Sequence, residues 1–201
     1  MKHALLISLI VLSCPAINAQ PDTIYLHFRY GSKPAKGTRP AERTWFGGLK
    51  GGHVSIDADG WILDFLPGKN PIFPNNQKPT GDFYVSRQLY WDSSGDNKKV
   101  TIAIPVSPEQ KQRMLLLFDV WDQKAPYDYA VFGMRCASAC YDALSEIGLV
   151  DKLSRTSNII RHFYPKQLRK KMLRLAEKNN WPVQYQPGRS SRKWESDRGL
   201  F

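Results

Sequence analysis

The chain has 201 residues and a formal net charge of +11, with 29 Lys and Arg against 18 Asp and Glu. This length predicts a single domain with a sizeable core, and no apolar run in the sequence is long enough for a permanent membrane-spanning helix. The basic balance favours an acidic partner, such as an anionic cell-wall polymer, lipid head groups or nucleic acid, although exported proteins can also be basic for solubility alone.

The start of the chain has the pattern of a secretory signal peptide. Lys2 and His3 give a short positive segment, residues 4–12 are almost wholly apolar, and residues 17–19 form a small-residue cleavage site. We therefore expect the first nineteen residues to be removed and the mature protein to be exported, to a periplasm or to the extracellular space.

The same segment has a second interpretation. Residues 11–14 loosely resemble a bacterial lipobox, which would make Cys14 an acylated N-terminus. In the signal-peptide interpretation, residues 20–201 form one domain, and its last part, from about residue 187 to 201, is a basic extension.

Hydrophobic patterning predicts five strands and three helices in chain order. The strands are expected at residues 23–30, 53–57, 61–66, 83–85 and 99–105, with loops at residues 31–52 and 67–80. The helices are expected from Pro108 through Trp121, at residues 136–147 and at residues 165–179, the first opened by a Ser107 capping box. These elements predict an α+β fold in which helices pack on a small antiparallel sheet.

The dipeptide Asp59-Gly60 predicts a two-residue hairpin turn between the second and third strands. Pairing outward from this turn sets Ser55 opposite Asp64 and places His53 on the same face. Asp64 is then the diagonal neighbour of His53, within reach of its ring.

Asp64 is an acidic residue in the otherwise apolar third strand. One interpretation is that it orients the His53 imidazole, and the alternative is that it lies on a solvent-exposed face of the sheet. Asp57, beside the turn, is the weaker candidate for the same orienting role.

Two cysteines, Cys136 and Cys140, remain after signal removal, and they lie one helical turn apart. Such a pair makes a poor disulfide, so an unpaired thiol in an oxidising compartment suggests one that is kept for its chemistry. Cys136 begins the helix beside Arg135, where the amide groups and the positive neighbour favour a thiolate. A buried structural thiol is the alternative for Cys136, and Cys140 is expected to be a small buried apolar residue.

The order of these features resembles the circularly permuted branch of the NlpC-type papain-like hydrolases, which includes the lecithin-retinol-acyltransferase-like proteins. The similar segments are residues 52–56 with 61–64, residues 104–121 with 126–129, and residues 135–139. The sequence departs from the pattern at Arg135, where Asn or Asp is common, and at Ala137, where Ser is common.

The resemblance implies a permuted papain-like fold and a thiolate attack by Cys136 on an amide or ester carbonyl. His53 would be the base and Asp64 its orienter. Tyr127, Tyr129 and Arg135 are candidate substrate-binding residues, with aromatic packing as the alternative for the two tyrosines.

The leading hypothesis is an exported cysteine hydrolase that cleaves amide bonds, most simply in cell-wall peptides. A lipid amidase or acyltransferase of the same fold is a second hypothesis. A third is an inactive module whose basic helix, with Lys166, Arg169, Lys170, Lys171 and Arg174, binds an anionic surface polymer, although these residues also suit a solvated helix face. No metal-ligand spacing, phosphate-binding loop or nucleic-acid motif is recognisable in the sequence, so we expect no metal, cofactor or nucleic-acid partner. A monomer is expected as well.

Overall fold

The computed structural model describes residues 22–31, 52–66, 72–74, 83–89 and 97–188. The predicted signal peptide and its lipobox alternative lie outside these residues. So do most of the two predicted loops and all but the first two residues of the basic extension.

The described part of the chain contains six strands and four helices, which confirms the α+β class. The strands are β1 (Asp22–Arg29), β2 (His53–Ala58), β3 (Trp61–Phe65), β4 (Phe83–Ser86), β5 (Lys99–Val106) and β6 (Val183–Gln186). The helices are α1 (Pro108–Gln123), α2 (Cys136–Glu146), α3 (Arg155–Arg161) and α4 (Pro165–Asn179). None of these helices is long and apolar enough to cross a membrane.

All six strands belong to one antiparallel sheet with the order β4-β3-β2-β1-β5-β6. The five predicted strands are present, each within about two residues of its expected bounds. β6 was not predicted, because its four residues are half-buried or exposed and show no alternation. α3 was not predicted either, since only one of its seven residues is buried.

The core lies between the sheet and the helices. Alternate residues of β1 and β5 are fully buried, and α1 contributes Met114, Phe118 and Trp121. The predicted capping box starts α1: the Ser107 hydroxyl accepts from the Gln110 amide at 3.2 Å, and the Gln110 side chain accepts from the Ser107 amide at 3.0 Å. This reciprocal pair fixes the point where the chain leaves β5 and becomes helical.

The turn between β2 and β3 has the predicted two residues. Asp59 and Gly60 both have positive φ angles, 58° and 74°, as the two central positions of a type I′ turn require. Ala58 pairs with Trp61 and Ile56 with Leu63, which confirms the predicted register. The same register sets Ser55 opposite Asp64.

Candidate active site

Three elements bring together the three residues that the sequence singled out. His53 begins β2, Asp64 is in the neighbouring β3, and Cys136 is the first residue of α2. The helix packs on β2 and brings Cys136 close enough to His53 for the two groups to shift each other's pKa. Residues that lie far apart in the sequence therefore form one buried cluster.

The His53 ring is held by a buried carboxylate. His53 Nε2 lies 2.7 Å from Asp64 Oδ1, and each of the two side chains is only 2% exposed. The hydroxyl of Ser55 donates to the same Asp64 oxygen. Since Asp64 occupies Nε2, the opposite ring nitrogen, Nδ1, is the one available to the Cys136 thiol.

Ser55 is a site residue that sequence reasoning did not assign. The sequence did indicate the contact, because the predicted hairpin register sets Ser55 opposite Asp64. By donating to Asp64, its hydroxyl satisfies part of the hydrogen-bonding capacity of a carboxylate that is almost entirely buried.

The pKa values of Cys136 and His53 move in opposite directions. Burial alone would raise the pKa of Cys136, but the positive charge and hydrogen bond of His53, the charge of Arg135 and the Val54 amide together lower it below its ordinary value of 9.0. Burial alone would lower the pKa of His53, but the negative sulfur and the Asp64 carboxylate raise it from 6.5 to about 9. Each group therefore stabilises the charged form of the other, as in a thiolate–imidazolium pair.

The first turn of α2 is fixed from two sides. The Arg135 amide donates to the Ser138 hydroxyl at 2.8 Å. The side chain of Asn158, in α3, donates to the Ser138 carbonyl at 2.9 Å and contacts His162 Nδ1 at 2.9 Å. The His162 ring stacks on Tyr141, with 4.1 Å between ring centroids. Sequence reasoning missed this support because it did not predict α3.

Cys140 is buried, as predicted, and only 3% exposed. Its thiol donates to the Val54 carbonyl, with sulfur and oxygen 3.6 Å apart. Burial, and then the negative charges of Cys136 and Asp64, raise the pKa of Cys140 well above its ordinary value. Cys140 therefore stays protonated where Cys136 ionises, and both thiols are free of disulfides.

Tyr127 and Tyr129 lie in an aromatic cluster with Phe65, Phe83 and Trp121. Tyr127 is 1% exposed and Tyr129 5%. Burial, followed by the nearby Asp142 carboxylate, raises the pKa of Tyr127 well above 10. The structure thus places both tyrosines in the packed interior.

Arg135 directly precedes Cys136, and its guanidinium lies over two aromatic rings. Its central carbon is 4.7 Å from the ring centroid of Phe163 and 5.6 Å from that of Tyr164. These two half-buried rings come from the connection between α3 and α4, which carried no functional signal in the sequence. They bring a second aromatic surface close to the start of α2.

Asp57, the alternative orienter of His53, contacts other groups. One of its carboxylate oxygens accepts from the Gly60 amide at 2.9 Å, and the other lies 3.5 Å from His27 Nε2. Its carboxylate therefore supports the turn and the neighbouring strand, while Asp64 holds His53.

No protein-family model matches the chain, and searches of curated proteins and of solved structures give no match either.

Proposed function

We propose that this chain is a cysteine hydrolase in which Cys136 is the nucleophile, His53 the general acid and base, and Asp64 the residue that orients His53. The observation that carries the proposal is the buried series Asp64–His53–Cys136, with the thiol at the start of a helix. The order of His strand, Asp strand and Cys helix along the chain also supports a permuted papain-like arrangement of the α+β fold.

The chemistry follows from the charges of the pair. The Cys136 thiolate attacks the carbonyl carbon of an amide or ester, and the carbonyl oxygen becomes an oxyanion. The first amide N–H groups of a helix lack partners within the helix, so those at the start of α2, next to Cys136, are the donors proposed for this oxyanion.

His53 then moves the protons. As an imidazolium it protonates the leaving amine or alcohol, so that the carbon–nitrogen or carbon–oxygen bond breaks and an acyl-Cys136 thioester remains. As a neutral base it next takes a proton from water, which attacks the thioester and releases the acid and the Cys136 thiol. Asp64 keeps the ring in one orientation through both steps.

The substrate proposed is a peptide amide, in particular one from cell-wall peptide. The signal-peptide pattern predicted for residues 1–19 and the basic charge of the chain support an exported enzyme that works near an anionic polymer.

The test is acylation of the full chain by a small activated ester, p-nitrophenyl acetate, followed by peptide mass mapping. We expect a burst of nitrophenolate and one acetyl group on Cys136. Cys136→Ala should remove both, while Cys140→Ala should keep both in its folded fraction. An acetyl group on Cys140 or on lysines alone would contradict the proposal.

Substrate class is tested next with a panel of cell-wall peptides and N-acyl lipids, followed by mass spectrometry. Release of a new amine and carboxylate from a peptide supports the peptide substrate. Turnover of the lipid amides alone would show that the same mechanism acts on a lipid substrate instead of a peptide.

A further inference from the structure

A groove separate from the candidate active site lies between α4 and β6. It has a volume of 610 Å³, which is within the range of ligand-binding clefts. Its polar lining comes from Lys170, Arg174 and Glu177 on the helix and Asn180 at its end, and its aromatic lining from Trp181 and Tyr185. None of these residues contributes to the Cys136 cluster.

The sequence of α4 explains why these polar side chains share one face. Positions 170, 174 and 177 are spaced by four and three residues, so their side chains follow each other along the helix surface. Asn180 ends the helix in the left-handed conformation, with φ 56°, and the Trp181 amide donates back to the Ala176 carbonyl at 2.8 Å. The chain then returns as β6 and forms the other wall.

β6 is the last strand of the sheet order, so the groove lies at an edge of the sheet. Tyr185 is 59% exposed there, although a ring of this size is normally better covered. Trp181 is half-buried against the core, and its position is therefore fixed by packing. The groove thus combines one anchored and one accessible aromatic ring.

α4 is strongly basic, because it contains six basic residues and a single acid, Glu177. Lys166 and Arg169 are buried and contribute little to the surface. Arg174 is exposed, and no carboxylate among the described residues forms an ion pair with it. A cation at this position is available to an anion that enters the groove.

We propose that this groove binds an acidic polysaccharide. Carboxylate or sulfate groups of the sugar chain pair with Arg174, Lys170 adds to the positive charge of the groove, and the apolar faces of sugar rings lie on Trp181 and Tyr185. Glu177 accepts hydrogen bonds from sugar hydroxyls, which a polysaccharide carries in addition to its charges.

A nucleic acid strand suits the groove less well. Within a DNA strand no sugar hydroxyl is left free, and RNA keeps one per nucleotide, so Glu177 finds fewer hydroxyl donors there than on a polysaccharide. A lipid tail would leave the charged side chains of the groove facing an apolar ligand, at a cost in desolvation. The mixture of cations, one acid and two aromatic rings therefore favours a hydroxyl-rich anionic chain.

The experiment is affinity electrophoresis and calorimetry of the full chain with three probes at physiological salt: alginate, neutral dextran and a twenty-nucleotide oligo-dT. We expect binding to alginate and little binding to dextran. Arg174→Gln and Tyr185→Ser should each weaken alginate binding by roughly tenfold.

Two control variants are matched to these changes. Lys178→Gln removes the same charge from the same helix at a residue that does not line the groove. Tyr84→Ser removes an exposed tyrosine, 53% accessible, from the strand at the opposite end of the sheet. Both controls should bind alginate nearly as the unmodified chain does.

Several outcomes would overturn the proposal. They are failure to bind alginate, equal affinity for dextran, tighter binding of oligo-dT, and equal losses in Lys178→Gln and Arg174→Gln. Low-pH alkylation of Cys136 should be unchanged in all four variants. That measurement also shows that the variants are folded, and it separates this proposal from the hydrolase proposal.

Discussion

Replacement of His53 by glutamine tests the thiolate–imidazolium pair most directly. Glutamine keeps a polar group that can contact Asp64, but it cannot carry the positive charge that faces Cys136. Burial of the sulfur, which raises the thiol pKa, remains in the variant. Only Arg135 and the Val54 amide are then left to lower that pKa, so we expect it to rise.

The size of the effect follows from the pKa of His53, which is about 9 against an ordinary 6.5. Since one pKa unit corresponds to about 1.4 kcal/mol, the surroundings favour the imidazolium by about 3 kcal/mol. Cys136 is the largest favourable cause of this rise, and the interaction is reciprocal. Its loss should therefore reduce the thiolate fraction near pH 6 by roughly 10- to 100-fold.

The assay is the rate of iodoacetamide labelling between about pH 5 and pH 9, with peptide mapping to separate Cys136 from Cys140. In the unmodified chain, Cys136 should label well below the ordinary thiol pKa, while Cys140 should not label until the protein unfolds. Slow labelling of Cys136 with an ordinary pH dependence, or equal rates in His53→Gln, would refute the ion pair and favour a binding module without catalytic chemistry.

Three further changes test other parts of the structure. Asp64→Asn should reduce labelling near pH 6 less than His53→Gln does, because the ring can still be charged; an equal or larger loss would mean that Asp64 does more than orient the ring. The pKa of His162 is lowered from 6.5 to about 4 by burial and then by Lys171 and Arg161. Neutral His162 therefore makes its full contribution to the free energy of unfolding above pH 6.5. This contribution is lost as pH falls toward 4, and the loss is about 2 kcal/mol at pH 5. Urea unfolding should show that the stability of His162→Gln does not fall in this way. An equal dependence of the free energy of unfolding on pH in both proteins would contradict the prediction. Ser107→Ala should lower the free energy of unfolding by about 1 kcal/mol through loss of the cap, without changing Cys136 labelling, and an unchanged urea midpoint would show that the cap contributes nothing.

Local patterns were enough to predict the hairpin and the residues it brings together. Asp59-Gly60 fixes a two-residue turn, and the alternation of a strand then decides which side chains face each other. The contact between His53 and Asp64 follows from that register. The start of α2 was predictable in the same way, because Cys136 follows a Gly-containing connection and precedes an apolar helical stripe.

Other parts of the molecule depend on contacts between distant segments. α3 buries one side chain, Asn158, and that residue is bonded to the Ser138 carbonyl of α2. β6 is stabilised by pairing with β5, since Val183 pairs with Ile102 and Gln186 with Lys99. Neither element has a hydrophobic pattern of its own, so a single sequence could not indicate it. The raised pKa of Cys140 and the lowered pKa of His162 required the packed structure, because burial is the first cause of each. The lowered pKa of Cys136 was expected from the helix start and Arg135, and the structure adds the contribution of His53.

The two-residue turn between β2 and β3 makes the candidate site sensitive to chain length. Inserting one residue there would either shift the pairing of the strands, which turns Asp64 to the opposite face, or form a bulge that bends β3. Substitutions at Asp59 that tolerate a positive φ would leave the register intact. This hairpin should therefore accept changes of residue far more readily than insertions or deletions, and its length is a feature by which active relatives could be distinguished from inactive ones.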